Sequence, residues 1–339
     1  MKKSIIALAV AGALAAPAVS MADATLYGRL HFQMQFVKDQ DMNIANAGHR
    51  LGVKGESEMD SGLTAFYQIE TEYHNDRNGT SASGTTDADL TVRLANAGVK
   101  GDFGKVTVGR QSNPYSDIYV SDIFEYNSGV FENESFRMGN AVSYATPDLS
   151  GFGASLSFVA DGTHNATVYD TDTKATATAT SATHSDGTDN YNKDVDAYIL
   201  GAHYEANGFY AAAAYKTAQY EKDHDDSASY TDDMDSYGLG LSYTVNNFLA
   251  AAYWEKTKTD NADDSVKNWD LAASYTMDKT TFGLAYGQSK TENEDAAKRT
   301  MVGVYQNLGG GADVYAEYGA YNEEAGDGDN VVVGYRVKF

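Results

Sequence analysis

The chain has 339 residues with no Cys, 3 Pro, 32 Gly and 25 Tyr, and its 48 Asp and Glu against 25 Lys and Arg leave a formal net charge of −23. Such an acidic excess, with no concentrated basic run to offset it, argues against nucleic-acid binding, and the missing thiols exclude disulfide frameworks, thiol catalysis and Cys-ligated zinc. With 42% hydrophobic residues the chain is too apolar for disorder, yet its mean hydropathy is negative, too polar for a bundle of membrane helices.

Residues 1–22 begin with Lys2 and Lys3, run through an apolar stretch from Ile5 to Ala16 and end in small residues around Ser20, Met21 and Ala22. This is the pattern of a secretory signal peptide, since the apolar stretch is shorter than the ~20 residues a spanning helix needs. The expected mature unit is a single domain over residues 23–339, with 23 basic against 48 acidic groups, a net of −25.

From Ala24 on, the dominant period is two. One face of the first segment reads Leu26, Leu30, Phe32, Met34, Phe36, and the other reads Tyr27, Arg29, His31, Gln33, Gln35. In the last, Val331, Val333, Tyr335, Val337 and Phe339 oppose Val332, Gly334, Arg336 and Lys338. Strict alternation marks strands, and runs of roughly ten residues match a tilted crossing of a bilayer better than the five or six of a typical soluble strand. The apolar faces also begin and end in Tyr, Phe or Trp, as rings seated at a lipid boundary do.

The connections alternate between two kinds. Short ones stand at 59–61, 102–103, 147–150, 207–208, 246–247, 278–279 and 309–311; long polar ones stand near 39–47, 74–87, 112–138, 161–193, 222–234, 259–267, 290–298 and 323–329. Seven short turns and eight long loops join sixteen strands. Lipid leaves no backbone edge unpaired, so the expected fold is all-β, a closed sixteen-stranded antiparallel transmembrane barrel, and a barrel of that strand number encloses an aqueous channel.

The segments Ala24-Thr25-Leu26-Tyr27-Gly28-Arg29, Arg50-Leu51-Gly52-Val53-Lys54-Gly55, Val92-Arg93-Leu94, Gly98 to Gly104, Val108-Gly109-Arg110-Gln111, Asn140 to Tyr144 and the terminal Phe339 resemble, in that order, the Gram-negative general porins of the outer membrane. The resemblance covers essentially all of the mature chain. It implies a homotrimer in contact with outer-membrane lipid and lipopolysaccharide, passing ions and small hydrophilic solutes by diffusion, and it implies a third loop, here 112–138, folded into the barrel. On that loop Asp117, Asp122 and Glu125 are the candidate constriction acids, with Asp117 and Asp122 ranked first; Glu132 and Glu134 follow. By motif position Arg29, Arg50 and Arg93 take the basic wall places. The family's wall arginine in the sixth strand is missing from Ser143-Tyr144-Ala145-Thr146, so Arg110 or Arg137 is expected to substitute. Phe339 matches the terminal aromatic that serves the family as an assembly signal. The acidic mouth loops imply a preference for cations, opposed by the wall arginines.

Other chemistry finds little support. The seven His include no i, i+4 pair, no nucleophile elbow or phosphate loop occurs, and Gly309-Gly310-Gly311 reads better as a turn than as one copy of a calcium-binding repeat, so no catalytic residue, metal or cofactor is assigned. His31 is expected to be a polar lining group. The acid-rich loops, including Asp225-Asp226, Asp232-Asp233, Asp263-Asp264 and Glu323-Glu324, suit divalent bridging to lipopolysaccharide phosphates or a solvated repulsive surface. Residues 161–193 form a low-complexity loop. The rival readings are a solute-specific channel, a barrel enzyme and an adhesin with a plugged lumen.

Overall fold

The computed structural model describes residues 24–74, 89–127, 131–160, 195–218, 233–259, 265–326 and 328–339. The expected signal segment and loop 161–193 lie outside them. Along the chain run β1 (Thr25–Val37), β2 (Asn43–Asn46), β3 (His49–Glu58), β4 (Thr64–His74), β5 (Asp89–Gly101), β6 (Gly104–Ser112), β7 (Arg137–Ala145), β8 (Phe152–Val159) and β9 (Ala197–Ala206). They continue with β10 (Phe209–Ala218), β11 (Met234–Val245), β12 (Phe248–Thr259), β13 (Ser265–Met277), β14 (Thr280–Thr291), β15 (Ala297–Gly309), β16 (Ala312–Tyr321) and β17 (Asn330–Lys338). From β3 to β17 each strand pairs antiparallel with the next, and β1 closes the ring by pairing with β17 on one side and β3 on the other. Sixteen strands make the wall, and the turns fall where the sequence places them.

The additional strand, β2, lies within the first long connection and pairs Asn43–Asn46 with Gln35 to Phe32 of β1. Its four residues are too few to show alternation in the sequence. It forms because β3 pairs with β1 only from Thr25 to Arg29, leaving the upper edge of β1 with backbone groups that need partners.

The wall is apolar outside and polar inside. Along β1, Leu30, Phe32 and Met34 are 43%, 42% and 40% exposed, while His31 and Gln33 are 1% and 3% exposed. The alternation is that of a half-buried strand with its sense inverted, the arrangement of a wall with lipid outside and polar groups within. The tight turns rest on left-handed backbone, with Asn207 at φ 52° and Gly208 at 80°, and Gly309, Gly310 and Gly311 at 85°, 61° and 80°. At Gly311 a Cβ would also stand 2.4 Å from the carbonyl oxygen of Lys338, so only glycine fits.

Candidate functional site in the lumen

The segment joining β6 to β7 opens with a 3-10 turn, Pro114–Ile118, capped by Asn113, whose side chain accepts the Tyr115 N–H at 3.0 Å. Proline supplies a helical φ at the first position and the capping amide removes an orphan donor. The turn buries Tyr115 and Ile118 completely, against β9, β10 and β11. Gly240 of β11 makes the contact possible: a Cβ there would stand 2.2 Å from the Ile118 carbonyl oxygen.

Beyond the turn, the segment is fastened to inward rows of the wall. Tyr119 Oη donates to Glu255 Oε2 of β12 at 2.9 Å and accepts the Glu134 N–H at 3.0 Å. The N–H groups of Glu125 and Tyr126 donate to Glu317 of β16 at 2.6 and 3.0 Å. Arg299 of β15 donates to the Asn127 carbonyl at 2.9 Å while its guanidinium pairs with Asp270 of β13, also at 2.9 Å. On the return limb Asn133 N–H donates to Glu255 Oε1 at 2.9 Å, and Glu134 pairs with Lys216 of β10 and accepts Ser236 Oγ of β11. Lys216 and Glu134 are each about 1% exposed, so removing one partner would leave a buried, uncompensated charge.

The fastening carries Glu125 to the opposite side of the lumen, where its carboxylate pairs with Arg336 of β17. Arg336 Nε also donates to Asp313 of β16 at 3.1 Å. Arg29 of β1 lies within electrostatic reach of Glu125, Arg336, Arg93 and Glu72, and its Nε donates to the Gly48 carbonyl at 2.9 Å. Arg93 of β5 donates to Glu70 Oε1 at 2.8 Å and pairs with Glu72, which also stands 3.6 Å from Arg50 Nε of β3. Four guanidinium groups thus gather with Glu125, Glu70, Glu72 and Asp313 around one region of the inner wall. In low dielectric and with little room for counterions, such opposed charges set up a field across the lumen.

The other sequence-derived candidates stand elsewhere. Asp117 sits over β9 and β10, within electrostatic reach of His203, and its carbonyl meets Tyr210 Oη at 3.5 Å. Asp122 lies beside Glu132, whose two carboxylate oxygens are buried without a hydrogen-bond partner among the described residues. Burial raises the Glu132 pKa, Asp122 adds to the shift, and Arg299 opposes it. Arg110 and Arg137 stand at the base of the loop, where β6 and β7 slip register between Gly109 and Gln111. His31 is buried on the inner row, with Nε2 2.6 Å from Tyr315 Oη. Phe339 sits at the barrel seam, its N–H and C=O bonded to Gly28 at 3.1 and 2.9 Å.

Sequence reasoning did not single out Arg336, Lys216, Arg299 or Glu317. Alternation does put each on an inward row; the missing information was the partner, which lies 82 to 211 residues away in the pairs with Glu134 and Glu125 and across the barrel rather than along a strand.

Comparison with known proteins bears on this geometry. The family model for Gram-negative porins matches residues 7–326. The outer membrane porin protein OmpD of Citrobacter koseri is 31% identical over 254 residues, 63% of this chain and 70% of that protein. The major outer membrane protein P.IB of Neisseria meningitidis is 30% identical over 192 residues, 50% of this chain and 54% of that protein, so the chain spans about half the length of that relative. Among solved structures, Salmonella typhi OmpF in complex with daunomycin aligns with a TM-score of 0.72 at 21% identity, covering 94% of this chain and 98% of that one. The anion-selective porin of Comamonas acidovorans aligns at 0.70 and 19% identity over 94% and 99%. The structural likenesses agree on the closed barrel, and by the match over residues 7–326 this chain belongs to the Gram-negative porin family, proteins of the outer membrane.

Proposed function

We propose that this protein is a passive diffusion channel for ions and small hydrophilic solutes rather than an enzyme, narrowed where Glu125 on the inward segment meets Arg336, Arg29, Arg50 and Arg93 on the wall. The observation that carries the reading is the Glu125–Arg336 pair, which joins the 24-residue connection between β6 and β7 to the far side of the lumen. A field between opposed rows orients dipolar solutes and makes partition of apolar ones costly. Because the four arginines are matched locally by Glu70, Glu72, Asp313 and Glu125, the sign of selectivity falls to the surplus acids of the mouth loops and of Asp117 and Asp122, which favours cations. The working form is a homotrimer in lipid and lipopolysaccharide, in keeping with the trimer form described for OmpT of Vibrio cholerae, a fold neighbour.

The test is single-channel recording of the purified protein in a planar bilayer under a KCl gradient. Conductance steps in groups of three with a cation-selective zero-current potential are expected. A folded barrel that inserts and passes no current would overturn the channel reading, and an anion-selective potential would overturn the assignment of sign.

A further inference from the structure

One stretch of the inner wall lies across the lumen from the arginines. In the order of the closed ring, β9 and β10 stand opposite β17 and β1, the strands that carry Arg336 and Arg29. Alternation turns His203 and Glu205 of β9 and Tyr210 of β10 inward, on the rows of the buried Ile199 and Ala212. The register sets Tyr210 directly opposite Glu205, and His203 opposite the small Ala212. The imidazole and phenol rings lie nearly parallel, with centroids 6.0 Å apart and planes at 15°. Gly153 of β8 makes room for the imidazole, since a Cβ there would stand 2.5 Å from His203 Cε1.

The capped turn rests just above this ring pair. A Cβ at Gly201, the next inward position along β9 from His203, would stand 3.4 Å from Pro114 Cβ, so the turn brings the exposed Asp117 over the rings. Asp117 acts electrostatically on His203 and on Tyr210, and Glu205, also exposed, acts on Tyr210 as well. No Lys or Arg pairs with either carboxylate among the described residues. Lys216, farther along the same row of β10, is already paired with Glu134. Desolvation inside the barrel raises the Asp117 pKa, as it does for a carboxylate short of a compensating cation. At the arginine wall every guanidinium has a local acid; here two carboxylates flank two ring faces and the matching cation is not part of the chain.

We propose that Asp117, Glu205, His203 and Tyr210 form a lumenal docking station for solutes that carry a planar cation, a guanidinium or amidinium group. The plane of such a cation lies on a ring face while its N–H groups donate to the carboxylates, a combination that a tetrahedral ammonium satisfies only in part. As a station on the way through the barrel it rests on the reading of the lumen as a diffusion path; as a binding site it can be tested without conduction.

Binding is measured on the folded protein in detergent by ligand-observed NMR at about pH 8, where an ordinary imidazole is neutral. The probes are benzamidinium and benzylammonium, which share charge and ring and differ in the shape of the cation. Saturable benzamidinium binding about threefold tighter than that of benzylammonium is expected, with Asp117→Asn weakening it about fivefold and Tyr210→Leu removing the preference between the two probes. If Tyr210→Leu fails to fold, Glu205→Gln, which alters an exposed side chain, is expected to weaken benzamidinium binding about threefold. Equal affinity for the two probes, unchanged benzamidinium affinity in folded Asp117→Asn, or an equal loss in Glu125→Gln would overturn the proposal. Adding benzamidinium to a planar bilayer tests the channel reading separately. Brief interruptions of current that shorten in Asp117→Asn are expected, whereas a barrel that binds the probe and passes no current would sink the channel reading and leave the station standing.

Discussion

Glu125 and Arg336 illustrate how much a single pair can decide in a lumen. Each has a second engagement: the Glu125 backbone N–H is held by Glu317, and the Arg336 side chain by Asp313, so neither is free to swing away when the other is changed. Neutralising one should therefore alter the local field more than the local shape. Glu125→Gln is expected to lower the ratio of cation to anion permeability by about twofold and Arg336→Gln to raise it by a similar factor, both read from zero-current potentials. Arg336 was visible in the sequence as an inward-row residue of the last strand, but nothing along the chain connected it to position 125. Of the three acids named from sequence, the one ranked last is the one that meets this arginine, because the capped turn at Pro114–Ile118 holds Asp117 over β9 and β10 instead.

At the scale of the element, the inward segment is an apolar turn followed by a polar strap. The turn packs through Tyr115 and Ile118 onto wall glycines; the strap is held by Glu255, Glu317, Lys216 and Arg299. Glu132 is the exception, a buried carboxyl with no hydrogen-bond partner among the described residues, beside Asp122, Glu255 and Asp270. A carboxyl there favours its neutral form, so its pKa in the docked segment is raised above the ordinary 4.5. By linkage, its contribution to docking is full below 4.5 and is lost as pH rises through the raised value. Open-channel noise is thus expected to fall as pH is lowered from about 8 to about 5, and Glu132→Gln should flatten that dependence, whereas an unchanged pH profile in the variant would assign the effect to another group.

For the whole molecule, the decisive event is closure. The last strand meets the first at Phe339, whose ring covers Gly28; a Cβ at Gly28 would stand 2.6 Å from the ring's Cζ and 2.6 Å from the Arg50 carbonyl oxygen. Gly28→Ala should therefore slow conversion of the unfolded chain to the closed barrel, followed as the shift in gel mobility of unheated samples. Coupling it with Phe339→Ala should recover part of the loss, since that removes one of the two clashing groups; strictly additive effects would rule out this contact as the cause. Glycines beneath aromatic rings recur inside the wall as well, with Tyr27 over Gly52 and Tyr315 over Gly334. Each pairs a position without a side chain with a ring from the neighbouring strand, stiffening the wall where the backbone is most permissive.

The sequence by itself determined the class, strand number, turn positions and facing of the rows, because each is local: a period of two, a glycine or asparagine at a positive φ, an aromatic at a row's end. The family follows from the same information. Tertiary structure alone decided the partners. β2 exists because an edge of β1 is left open by β3, Arg336 finds Glu125 because a loop crosses the lumen, and Asp117 meets His203 and Tyr210 because the capped turn lies over β9 and β10. In a chain of net charge −23 these groups look scattered; barrel closure places side chains tens of residues apart at adjacent positions, and electrostatic energy depends on that distance and not on separation along the chain.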